Sequence, residues 1–156
     1  MKSLQAYTTV LEKIFLIGLI AGGIFFTLKA EPFGTTVTAV SLFGLGLAYF
    51  LSAYRPGEIN DDERTGNPKE LLVFMIIPKV LWLSSSVCLV AIALLVLGSD
   101  GSSYQKMFLI CGVTLAVAVV LALIAVIGLK DSSSSLWSIL LRAIPVLGAD
   151  LYFLLR

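Results

Sequence analysis

Hydrophobic residues in this chain fall in long uncharged runs separated by short polar breaks. The longest run, 107–129, reads MFLICGVTLAVAVVLALIAVIGL. It matches the roughly 20 apolar residues that a helix needs to cross the hydrocarbon core of a bilayer. Three shorter runs precede it, at about 14–28, 35–53 and 80–97. Four transmembrane helices are therefore expected, paired as two hairpins. The final segment, 136–156, is ambiguous. It is apolar enough to span but holds Arg142, Pro145, Gly148 and Asp150. A charged side chain at the centre of a membrane helix costs about 2.5–3.5 kcal/mol on insertion scales. Two such groups nearly cancel a modest run of leucines, which favours a C-terminal interfacial or half-buried helix over a fifth membrane helix. The expected fold class is an all-α integral membrane protein with a single membrane domain over 1–156.

The breaks carry their own signals. Residues 1–13 are short and mildly amphipathic, suited to the membrane surface. The run after Lys13 is long for a signal peptide, and Leu28-Lys29-Ala30 is a poor cleavage site, so it reads as a first span. Pro32 and Gly34 mark a tight turn before the second span. Segment 54–70 is the polar loop, with two prolines, two glycines and eight charges. Its Asp61-Asp62-Glu63 cluster lacks the alternating ligands and central glycine of a calcium loop, and reads as a solvated turn. Pro78 interrupts the apolar stretch that starts at Leu71. Either a short interfacial segment precedes the third span, or one long helix kinks at Pro78.

Composition narrows the function classes. The chain is 58% hydrophobic and 13% charged, against about 25% charged in a soluble domain. It has no histidine, which excludes histidine-ligated haem or zinc and histidine acid–base chemistry. A net charge of +1 gives no nucleic-acid footprint. No nucleotide loop, catalytic carboxylate pair or nucleophile–base arrangement occurs, so neither an enzyme nor a cofactor is expected. Cys88 and Cys111 lie inside separate apolar runs and read as small packing residues rather than a disulfide or a metal pair, so no metal site is expected.

With four spans, Lys2, Lys13, Arg55, Arg64, Lys69, Lys79, Lys130, Arg142 and Arg156 share one side. Only Lys29 and Lys106 lie on the other. The positive-inside rule then places both termini and the polar loop in the cytoplasm, in a multi-pass protein of the cell membrane.

Small residues at helical spacing mark candidate contact faces. Gly18 and Gly22 have the small-x-x-x-small spacing that lets helix backbones approach closely in lipid. Gly44, Ala48 and Ser52 form a matching ridge on the second span. Thr114, Ala118 and Ala122 form a third such face. The polar residues within or near the spans are Lys79, Ser84, Ser85, Ser86, Thr114, Arg142 and Asp150. Lys79 is suited to snorkel beside Trp82. The serines can either bond between helices or line a polar cavity. Arg142 and Asp150 are expected to be paired or interfacial. Sliding the first hairpin onto the second sets Gly44, Leu47 and Ala48 on Gly112, Leu115 and Ala116, a weak parallel repeat.

The turn Phe25…Lys29…Pro32-x-Gly34 is similar to that of the two-span stator-like subunits of bacterial gliding motors. A proton-driven stator implies a carboxylate within its spans. The second span here has none, and the likeness is carried no further. Two functions then compete. One is a non-catalytic subunit, scaffold or assembly component that packs through small-residue faces against its own copies or another membrane protein. The other is a small oligomeric channel or transporter, or a pore-forming effector. Its pathway would be lined by Ser84–Ser86, Lys79, Thr114 and the C-terminal charges.

Overall fold

A computed structural model describes residues 2–28, 31–54, 75–98, 102–128 and 133–155. These form five helices and no strand. They are α1 Lys2–Thr27, α2 Glu31–Ala53, α3 Ile77–Val96, α4 Ser102–Gly128 and α5 Ser133–Leu155. All five are long and apolar enough to cross a membrane.

Two boundaries differ from expectation. The first helix runs unbroken from Lys2, with no separate surface segment before residue 14. Pro32 and Gly34 lie inside α2 rather than in a turn before it. A proline in the first turn is tolerated because its missing N–H would have no intrahelical partner there. The same reason applies to Pro78, which sits in the first turn of α3, directly after a helical turn at 75–76. The stretch 71–74, on which the choice between an interfacial segment and one long helix rests, lies outside the described residues. The C-terminal segment, expected as an interfacial or half-buried helix, is one helix docked along α3 and α4. The acidic cluster Asp61–Glu63 lies outside the described residues.

The chain packs in sequence, α1 on α2, α2 on α3, α3 on α4 and α4 on α5. Helix α3 also touches α5, so it has three neighbours and forms the centre. Leu42, Leu45, Tyr49 and Ala53 present one stripe of α2 to the core. Leu81, Trp82, Cys88, Leu89 and Ile92 of α3 meet it, with Leu115, Ala118 and Ala122 of α4 and Leu140 and Ala143 of α5. Tyr49 and Trp82 meet edge to face at 4.8 Å. Helix α1 is peripheral: 17% of its span is buried, against 50% for α2 and α3.

The α1–α2 contact depends on missing side chains. A Cβ at Gly18 would strike Ser41, and one at Gly22 would strike the Thr38 hydroxyl and approach its backbone to 3.1 Å. Gly44 is filled by the ring of Phe15. Gly18, Gly22 and Gly44 thus lie at the α1–α2 contact, as glycine against hydroxyl and glycine against aromatic. Phe25 and Phe33 close its far end with ring centroids 5.0 Å apart. Gly22→Leu should force the helices apart and destabilise the protein by about 1–3 kcal/mol. An unfolding titration in mixed micelles measures this. An unchanged midpoint would mean that α1 can slide without loss.

The repeat does not extend to packing. Leu47 is exposed, whereas its counterpart Leu115 is wholly buried. Gly44 faces α1, whereas Gly112 faces α5.

Candidate functional site

Among the described residues, two clusters of charged side chains lie between the helices, and both involve α5. The first joins α5 to α1. Arg142 donates from Nε to Glu12 Oε1 at 2.5 Å. Its Nη1 donates to the Ser138 hydroxyl at 2.6 Å and to the Ser138 carbonyl at 3.3 Å. Glu12 lies five residues into the α1 span and Arg142 six into the α5 span, about 8–9 Å along each axis. The two helices therefore bring opposite charges to one level.

The second cluster lies eight residues further along α5, about 12 Å by helix rise. Asp150 is fully buried. Its Oδ1 accepts from Cys111 Sγ at 3.5 Å. Its Oδ2 is buried and has no hydrogen-bond partner among the described residues. The sulfurs of Cys88 and Cys111 and a carboxylate oxygen of Asp150 all lie within 4.8 Å of one another. Three helices each supply one group. Gly112 makes room for it, because a Cβ there would overlap Asp150 Oδ2. Both cysteines are free thiols.

The other candidates disperse. Ser84, Ser85 and Ser86 are buried on α3. Ser86 donates to the Gly46 carbonyl at 2.8 Å, tying α3 to α2. Gly46 itself lies 3.3 Å, measured from an added Cβ, from the Ser86 carbonyl. Thr114 is exposed and returns its hydrogen bond to Ile110, four residues back. Ala118 and Ala122 are buried instead beside Cys111 and Leu115. Lys79 is exposed at the start of α3. Ala48 and Ser52 are buried, and the Ser52 hydroxyl donates to the Ala48 carbonyl. Arg142 and Asp150 are separate: one is paired with Glu12, the other enclosed by thiols.

Glu12, Cys88 and Cys111 entered the site without being singled out by sequence. A signal was present for the cysteines. Cys88 and Cys111 stand at nearly equal distances from the break between α3 and α4. Cys111 and Asp150 stand at equal distances from the break 129–132. In successive antiparallel hairpins such residues share one level.

No family model, curated protein or solved structure matches this chain. Its function is read from the site alone.

Proposed function

We propose that the chain is a five-span, non-catalytic membrane protein acting as a subunit, scaffold or assembly component. One observation carries this reading. Most polar groups at span depth are turned inward within one chain, the charged ones in two clusters separated along α5, and the outer surface is apolar apart from Lys13 and Thr114. Asp150 and the three serines are buried, and Arg142 is held by Glu12. A transport pathway would instead need polar groups joined from end to end or facing an axis between copies. The outward stripe of α1, with Ile14, Ile17, Ile20 and Ile24 exposed, fits lipid or a partner helix equally in polarity. Its broad, sparsely buried face is where a second subunit would add most contact.

Five spans revise the topology. Lys2, Arg55, Arg64, Lys69, Lys79 and Lys130 then share one side, with Lys29, Lys106 and Arg156 opposite and Lys13 and Arg142 within the spans. The positive-inside rule keeps the N-terminus cytoplasmic and moves the C-terminus across. A C-terminal alkaline phosphatase fusion should be active and a C-terminal green fluorescent protein fusion dark. The reverse pattern would restore the four-span topology.

Native mass spectrometry after gentle extraction tests the subunit reading. A stoichiometric membrane-protein partner, or a defined homo-oligomer without ion flux in liposomes, is expected. A monomer, or an oligomer that conducts, overturns it.

A further inference from the structure

We propose that Cys88, Cys111 and Asp150 bind a zinc ion that clamps α3, α4 and α5 together. The inference goes beyond the subunit reading and does not depend on it. Three observations converge on it. The donor set is one that zinc accepts, two thiolates and a carboxylate. Its spacing fits. Zinc bonds of about 2.3 Å to sulfur and about 2.1 Å to oxygen, set at the tetrahedral angle, place the two donor atoms about 3.6 Å apart. Cys111 Sγ and Asp150 Oδ1 are 3.5 Å apart. The corresponding sulfur–sulfur edge is about 3.8 Å, inside the 4.8 Å that bounds all three donors.

The third observation is the unpartnered carboxylate. Asp150 is wholly buried and has no ion pair among the described residues. Arg142, on the same helix, is already bonded to Glu12. A buried carboxylate without a cation carries a large desolvation penalty. Its free oxygen, Oδ2, occupies the place where a Cβ on residue 112 would sit, which only glycine leaves open. A divalent ion held by the neighbouring thiolates provides the missing partner.

Binding is a proton-for-metal exchange without redox change. Each thiol releases its proton as its sulfur bonds to zinc, and the carboxylate adds as the third ligand. Two thiolates and the carboxylate set three negative charges against the two of the ion, so the filled site carries −1. Copper(I) would leave −2 in the same apolar interior, so the charge count favours zinc. Three protein ligands leave a fourth position for water.

The test uses the full chain purified in detergent without chelator. Elemental analysis should find one zinc per chain. Cadmium, titrated as a spectroscopic probe, should give a thiolate-to-metal charge-transfer band that saturates at one equivalent. The Cys88→Ser/Cys111→Ser variant should lose that band, and Asp150→Asn should weaken cadmium binding at least about tenfold. The wild-type protein supplies an independent readout should the variants fail to fold: zinc should raise its Tm and chelator lower it. Absence of both the band and the Tm shift overturns the site. So does a band that persists without the cysteines, a Cys88–Cys111 disulfide in the purified protein, or retention of copper(I) in place of zinc.

Discussion

Arg142→Met is expected to destabilise the protein by about 3 kcal/mol, because it leaves Glu12 charged, nearly buried and alone. The Glu12 side chain is 11% exposed and that of Arg142 36%. At an aqueous surface that exposure would screen the pair to a small value. Here the exposed edge of Arg142 lies well inside the helix ends, where the neighbouring surface is leucine and isoleucine. The value is placed at the lower end of the range for buried pairs to allow for that edge. Removing both charges together should recover most of the loss, since an apolar pair of similar volume replaces a desolvated ion pair with little penalty. Glu12→Gln/Arg142→Met should therefore unfold within about 1 kcal/mol of wild type, and the double-mutant cycle should return a coupling of about 2 kcal/mol. Denaturant midpoints in mixed micelles measure all three variants. Additive losses would show that the two side chains act independently.

Gly112→Val should be at least as damaging, at about 3 kcal/mol or more. Overpacking a closed core costs about 1–3 kcal/mol, and this site adds a second injury. The space that a Cβ would need is held by Asp150 Oδ2, and Asp150 has no exposed surface to retreat to. The displaced carboxylate would move away from Cys111 into apolar surroundings. Gly112→Ala in an Asp150→Ala background should be close to neutral relative to Asp150→Ala alone, because the colliding group is gone. If Gly112→Ala is equally harmful with and without Asp150, the glycine serves backbone approach rather than the carboxylate.

The helices were legible wherever the runs were free of charge. α2, α3 and α4 fall within a few residues of their expected bounds, because length and apolarity alone decide such segments. The errors sit where charge enters. Glu12-Lys13 looked like the end of a surface segment, since two adjacent charges seldom sit inside a span. In the helix they point to different sides: Glu12 is buried and Lys13 exposed. The docking of the C-terminal segment was hidden for a related reason. Arg142 and Asp150 were assessed against lipid, and their partners lie far away in sequence. Glu12 is 130 residues from Arg142 and Cys111 is 39 from Asp150. Periodicity within a segment carries no trace of such pairings. Gly18 and Gly22 were readable as a close-contact face, but not that Ser41 and Thr38 would fill it. That register depends on where α2 begins, and the position of Pro32 was read as a break.

The placement of both polar clusters on the last helix bears on biogenesis. Ribosomal synthesis is vectorial, so α5 leaves the exit tunnel after every group it needs has already been made. Glu12, Cys88 and Cys111 are waiting when Arg142 and Asp150 emerge. A segment too polar to partition into lipid alone can then leave the translocon directly onto its own earlier helices. The same arrangement makes release conditional. A chain whose first four helices are misassembled offers α5 no docking place, and the exposed arginine and aspartate mark it for membrane quality control. Docking of α5 is thus a check on the assembly of the four helices made before it.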